Sequence, residues 1–219
     1  MESKWSLLAT ISNYLIDLIF PKICVSCGQP NENLCNYCKQ SVNPVFGTKS
    51  VPNIDQLIFI WRYDNQVVKS LIKSLKYDFI TSLENDLRFL FNQQNYIEKI
   101  RDFCSSGYLI PIPLHKKREL WRGFNQSVII AQIISEITCL PVKDNLIKRI
   151  IFTKQQAHLE LNDRLLNLKN VFLATKCSTI DKTAILIDDV VTTGATLSAA
   201  AQELKRKGFL YVKALVLAA

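Results

Sequence analysis

The sequence predicts an α/β fold, a central parallel sheet with flanking helices, preceded by a small cysteine module. Three observations predict it. Ala184 to Ile187 is a continuous apolar run leading into two adjacent carboxylates, Asp188 and Asp189, and then a short Thr/Gly loop. Leu197 to Lys207 follows with helical periodicity and is closed by Gly208, and Leu210 to Ala219 is a second apolar run. Uninterrupted apolar strands suit a sheet covered on both faces, and a helix between two of them makes them parallel. The third observation is the pair Cys24-x-x-Cys27 and Cys35-x-x-Cys38, separated by seven residues.

Composition is compatible with this class. The chain has 219 residues, enough for one domain with a small appendage. Its formal net charge of +8 favours anionic partners such as phosphates, pyrophosphate or nucleic acid. Seven cysteines are an odd number, and Cys104, Cys139 and Cys177 are scattered in apolar surroundings as expected of inert core thiols. That usage fits a reducing compartment, hence the cytoplasm, better than a disulfide framework.

In chain order, residues 1–20 read as an amphipathic helix. Trp5 to Phe20 is apolar, with Ser6, Thr10, Asn13 and Asp17 at helical spacing. The segment is too short and interrupted to span a membrane. It has a single Lys and no small-residue cleavage site, which argues against a signal peptide. A helix packed on the rest of the protein is the expectation, with a peripheral membrane or partner contact as the alternative. Residues 21–44 read as a zinc ribbon. Two CxxC knuckles let Cys24, Cys27, Cys35 and Cys38 converge on one tetrahedral ion, usually Zn²⁺, and with no open position the zinc would be structural. Disulfides are the competing account.

Residues 45–106 read as a linker and a hood region. Pro44, Gly47 and Pro52 mark the linker, Leu57–Tyr63 a strand, Asn65–Tyr77 a helix and Ser82–Phe91 another helix. Lys76 is expected to be a solvated lysine compensating the helix dipole, with Tyr77 packing beside it; the alternative is that the two residues contact an anion. The main domain is expected over 107–219, beginning with the strand Tyr108–Pro113. Leu114 to Gln126 then holds the densest basic patch, with His115, Lys116, Lys117, Arg118 and Arg122. Such a patch at a strand end suits pyrophosphate, and Asn125 and Gln126 open the next helix, Ser127–Ile137. A strand is expected within Leu140–Arg149 and another at Asn170–Ala174. Phe152–Arg164, which contains His158, is a candidate mobile loop.

The segment Ala184–Thr196 carries the chemistry. Ligands of parallel sheets bind beyond the carboxyl ends of the strands. The loop Thr192, Thr193, Gly194, Ala195 and Thr196 offers backbone N–H groups, hydroxyls and a helix N-terminus to a phosphate, and Gly194 permits a positive φ. Asp188 and Asp189 repel phosphate but suit the hydroxyls of a ribose, or a Mg²⁺ ion nearby. No Lys follows Gly194, which excludes a Walker A loop. The combination resembles the phosphoribosyl-pyrophosphate (PRPP) signature of type I phosphoribosyltransferases.

Taken together, these residues resemble the ComF family of competence-associated, phosphoribosyltransferase-like proteins. The resemblance covers nearly the whole chain: the CxxC pairs, Leu75-Lys76-Tyr77, Pro111 to Gln126, Arg149 with Thr153 and Gln156, Arg164 with Asn167 and Phe172, and the loop at Asp188. Asp181 departs from it, since the family tends to have Gly before the position of Lys182. The resemblance implies a type I phosphoribosyltransferase fold with a small zinc ribbon. It also implies a role in natural transformation, handling single-stranded DNA that has entered the cytoplasm beside other competence proteins. On that reading Asp188 and Asp189 hold the ribose, Thr192–Thr196 the 5′-phosphate, and Lys116, Arg118, Arg122, Asn125 and Gln126 the pyrophosphate with Mg²⁺. The alternative is an active phosphoribosyltransferase of nucleotide metabolism with an unknown acceptor. Trp61, Trp121, Phe124 and Tyr77 are candidate stacking residues for DNA bases.

Overall fold

The computed structural model describes residues 21–77, 83–151, 171–175 and 182–219. The expected helix over 1–20, the loop 152–164 with His158, Cys177 and Asp181 lie outside the described residues.

Apolar runs that must be covered on both faces build the centre of the molecule. In chain order the described elements are α1 (Asn36–Gln40), β1 (Gly47–Thr48), β2 (Gln56–Trp61), α2 (Gln66–Tyr77), α3 (Leu83–Phe91), α4 (Gln94–Phe103) and β3 (Tyr108–Pro111), followed by α5 (Lys116–Arg122), α6 (Gln126–Thr138), β4 (Ile147–Arg149), β5 (Phe172–Ala174), β6 (Thr183–Val190), α7 (Ala195–Arg206) and β7 (Tyr211–Ala218). The central sheet has the order β1-β2-β7-β6-β3. Strands β2, β7, β6 and β3 are parallel, and only the short β1 is antiparallel to its neighbour.

Alternation along β6 assigns its two faces. Ile185 and Ile187 join a core with Val68, Leu71, Ile72 and Leu75 of α2, Leu87 and Leu90 of α3, Ile100 of α4 and Ile130 and Ile134 of α6. Ala184 and Leu186 face the other core, with Leu197, Ala200, Ala201 and Leu204 of α7 and Phe172 of β5. β4 and β5 form a separate antiparallel pair on that side.

Several expectations need correction. The strand expected at 57–63 is β2, and it belongs to the central sheet beside β7 rather than to a hood. The helix α4 was not expected, although Tyr96, Ile97, Ile100 and Phe103 have helical spacing. The basic segment after β3 is itself helical over α5. Cys104 is buried as expected, but Cys139 is exposed because it caps α6 in the left-handed region at φ 60°.

The cysteine module is anchored in the larger core. Cys24, Leu34, Cys35, Cys38 and Val42 belong to the same apolar cluster as Trp61, Phe91 and Tyr96. Lys39 of α1 pairs with Asp86 of α3 at 2.8 Å. Tyr96 joins module and core: its hydroxyl donates to the Val42 carbonyl (3.2 Å) and accepts from Trp61 Nε1 (2.9 Å). Tyr96→Phe keeps the ring packing but leaves a buried donor and a buried acceptor unpaired. It should lower stability by about 1–3 kcal/mol, read as an earlier denaturation midpoint in tryptophan fluorescence. An unchanged midpoint would show that the pair contributes nothing.

Candidate functional site

Asp188 and Asp189 lie at the carboxyl end of β6, and the loop that follows turns directly into α7. The turn needs Gly194, which caps α7 in the left-handed region at φ 77°. A Cβ there would meet Val51 Cγ2 at 2.6 Å, so the segment before β2 is packed onto the loop. Lys49 of that segment donates from Nζ to the Thr192 carbonyl at 2.6 Å. Thr193 Oγ1 accepts from Ala195 N–H at 3.4 Å, Thr192 is exposed and Thr196 is half-buried. The loop therefore combines a helix N-terminus, hydroxyls and a neighbouring ammonium, all of which favour an anion.

The two carboxylates are held differently. Asp189 is only 3% exposed. Its Oδ1 lies 3.0 Å from Lys76 Nζ, while its buried Oδ2 has no hydrogen-bond partner among the described residues. Asp188 is half-buried, and its Oδ1 accepts from Ser127 Oγ (3.1 Å) and from Asp189 N–H (2.9 Å). Burial, and then the neighbouring charge of Asp189, push the Asp188 carboxyl up to about 7, against the pull of Lys76 and the two hydrogen bonds. For Lys76, burial works against the charge, but Asp189 and then Asp188 outweigh it and hold the ammonium above its ordinary pKa. Lys76 is thus a partner of the acid pair, not the solvated lysine expected from its place at the end of α2.

The basic side is built on α5. His115 caps its N-terminus, with Nδ1 accepting from Lys117 N–H at 3.2 Å, and Gly123 ends it at φ 74°. Arg122 is 7% exposed. It lies over the Tyr77 ring at 5.0 Å and donates to Gln126 Oε1 at 3.1 Å. Asn125 is committed to the backbone: its Oδ1 caps α6 at Ser127 N–H and its Nδ2 donates to the Ile112 carbonyl, both at 3.0 Å. Gln126 and Asn125 are therefore placed as supports of Arg122 and of the strand-to-helix turn.

Arg118 is half-buried on α5, and Arg149 arrives from β4 through a bridge between His115 and Arg149. Burial, and then the charge of Arg122, lower the Arg118 pKa. Burial and the charge of Arg118 likewise lower that of Arg149, with Asp188 opposing. Arg118 thus lies within electrostatic reach of both Arg122 and Arg149, and Arg149 within reach of Asp188. Lys116 is exposed and lines a cleft of about 220 Å³ with Asn125, Lys148 and Arg149.

Reading the sequence missed Lys49, Ser127 and Arg149 as parts of this site, and gave Lys76 a place in it only as the alternative anion contact. Arg149 stood in a family-like motif without a role, and Lys49 and Ser127 carried no local signal. Trp61 is corrected as a stacking candidate, because it is 1% exposed and bonded to Tyr96. Trp121 is exposed and Phe124 half-buried, and Tyr77 carries Arg122 on its ring.

Cys24, Cys27, Cys35 and Cys38 form the second site. Their four sulfur atoms lie within 4.8 Å of one another, and Cys27 Sγ is 3.5 Å from Cys35 Sγ. Burial opposes ionisation of Cys24, yet the N–H groups of Cys27, Cys35 and Ser26 outweigh it and bring the thiol to about 6. Such a cluster can bind a metal ion such as zinc, and its place at the start of the described chain fits a zinc ribbon. Among the described residues no helix is long and apolar enough to cross a membrane.

No family model matches the chain. Three curated proteins are similar over most of its length. Competence protein F of Haemophilus influenzae is 28% identical over 188 residues, covering 84% of this chain and 79% of that protein. Competence protein ComFC of Bacillus subtilis is 30% identical over 194 residues, 85% of this chain and 72% of that protein. DNA utilization protein YhgH of Escherichia coli K12 is 27% identical over 190 residues, 85% of this chain and 79% of that protein. With that coverage, a parallel α/β sheet and a four-cysteine cluster at the N-terminal side, the chain belongs to the ComF family of competence proteins.

Proposed function

We propose that this chain is a competence protein that binds PRPP and takes part in DNA uptake by handling incoming single-stranded DNA in the cytoplasm. The observation that carries the PRPP reading is the acid pair, with Asp189 buried and its Oδ2 unpartnered among the described residues, at a strand edge that also bears an anion-favouring loop and arginines of α5 and β4. A sugar carrying phosphates at both ends matches that set of charges. Thr192, Thr193, Gly194, Ala195 and Thr196 would receive the 5′-phosphate. Asp188 and Asp189 would accept hydrogen bonds from the ribose hydroxyls. Lys116, Arg118 and Arg122 would hold the pyrophosphate, whose charge Mg²⁺ helps to neutralise. Asn125 and Gln126 would keep Arg122 and the turn in place. Stabilisation by such fixed charges and dipoles is mostly electrostatic and positional, so no nucleophile is required.

The DNA reading draws on the printed names of the relatives, two competence proteins and a DNA utilization protein, and on the net charge of +8. Exposed Trp121 beside Lys117 and Arg118 offers a stacking ring next to cations. Competence-machinery proteins are the natural further partners. The cysteine cluster would hold one structural Zn²⁺: tetrahedral Zn–S bonds of about 2.3 Å put the sulfurs about 3.8 Å apart, which the observed cluster accommodates.

PRPP with Mg²⁺ at a hundred times its dissociation constant should stabilise the protein by about 2.7 kcal/mol, and Asp188→Asn/Asp189→Asn should abolish the shift. A wild type that melts identically with and without PRPP would sink the reading. The apo protein should respond oppositely. A carboxyl raised above its unfolded value contributes stability below that value, and loses it as pH rises through about 7. Asp188→Asn alone should therefore raise the apo melting temperature at pH 8 while it weakens PRPP binding. Single-stranded DNA binding should be strong at low salt and fall steeply as salt is raised; absence of binding at low salt would remove the DNA role. Elemental analysis should give about one Zn per chain, and Cys38→Ser should lose the metal and lower the melting temperature of the whole chain.

A further inference from the structure

We propose that Lys76 is the positioning residue of the acid pair: its ammonium holds one oxygen of Asp189 and so presents the other to a hydroxyl donor of the bound ligand. The inference rests on the PRPP reading of the site and gives its acid half a partner from a distant part of the chain.

Three observations carry it. Lys76 Nζ is 3.0 Å from Asp189 Oδ1. Asp189 is 3% exposed, so a carboxylate there needs a positive charge to match it. Asp189 Oδ2 is buried without a hydrogen-bond partner among the described residues. A buried acceptor left open beside an oxygen already paired is costly on its own, and a ligand donor would satisfy it. Lys76 fixes which oxygen is open.

The surroundings leave that task to Lys76. From α6, Ser127 Oγ donates to Asp188, not Asp189. From β4, Arg149 feels the charge of Asp188. From β6 itself, Asp188 adds a like charge, and ahead of α2 Tyr63 faces Lys76. The next residue of α2, Tyr77, lies under Arg122. Two successive residues at the end of α2 therefore brace the two halves of the site, Lys76 the acid half and Tyr77 the basic half.

The test is PRPP·Mg²⁺ binding by calorimetry from pH 6 to 9 for wild type, Lys76→Met, Lys76→Gln and Lys76→Arg, with apo melting curves as the fold control. Each variant meets the same ligand, so the ligand's own titration cancels in the comparison. Lys76→Met should bind about ten-fold more weakly or worse, as expected for a charged hydrogen-bond partner. Its loss of binding with falling pH should begin at higher pH than in wild type, because removing the ammonium removes a charge that pulls the Asp188 carboxyl down. Lys76→Arg should recover part of the affinity and the wild-type pH profile. Lys76→Gln keeps a donor without the charge and gives the same comparison if Lys76→Met does not fold. Binding by the folded neutral variants within two-fold of wild type, with an unshifted pH profile, overturns the role of Lys76 alone. Absence of PRPP binding by wild type overturns the site reading together with this inference.

Discussion

A negative charge buried at the carboxyl end of β6 is the constraint around which the site is built. Asp189 is almost completely enclosed, and an enclosed carboxylate costs several kcal/mol unless it is paired and hydrogen-bonded. One partner is supplied, Lys76, and one oxygen is left without any. Asp188 next to it cannot add a second full charge cheaply, and its carboxyl is accordingly pushed up to about 7 by burial and by Asp189. An arrangement this poorly satisfied does not stabilise a fold. It is the arrangement expected where ligand donors complete the set, because strained polar groups persist at functional sites when the surroundings over-determine them.

The sheet supplies those surroundings. Strands β2, β7, β6 and β3 run parallel, so their carboxyl ends share one edge. β3 delivers α5 and the cap of α6 at that edge, and with them Arg118, Arg122 and Ser127. β6 delivers the acid pair and the loop into α7. The segment before β2 delivers Lys49 and Val51 onto the loop. Opposite charges approach the same edge from different connections. The acid pair, the cations of α5 and β4 and the loop into α7 thus meet at one edge.

How much of this was legible follows from whether the signal is local. The run from Ala184 to Gly208 contains strand, acid pair, loop and helix within one stretch, and the structure has each of them. The spacing of Cys24, Cys27, Cys35 and Cys38 is equally local, and the four sulfurs do converge. The pairing of β2 with β7 is not local, and β2 with its flanking turns reads like the start of a separate unit. Lys76 was misread because its environment is set by β6, not by α2, whose amphipathic pattern says only that position 76 lies near the boundary of the buried face. Asn125 and Gln126 read as ligand contacts because polar residues after a glycine at a strand end invite that reading. Their side chains are spent on Ser127 and Ile112, and on Arg122, which no spacing rule discloses.

The two sites share one apolar core, and this ties the cysteine module to the chemistry of the strand edge. Cys24, Cys35 and Cys38 pack in the cluster that also contains Leu71 and Leu75 of α2, the helix that carries Lys76 and Tyr77. Tyr96 bonds to Val42 at the end of the module and to Trp61 at the end of β2. Packed cores do not deform continuously, so disruption of the module would withdraw its share of the packing from α2 and from the end of β2 together. The cysteine cluster lies apart from the acid pair and contributes no atom to it. Its physical contribution is to complete the core that seats α2, and hence to keep the Lys76 ammonium within hydrogen-bonding distance of the one carboxylate the fold cannot otherwise afford to bury.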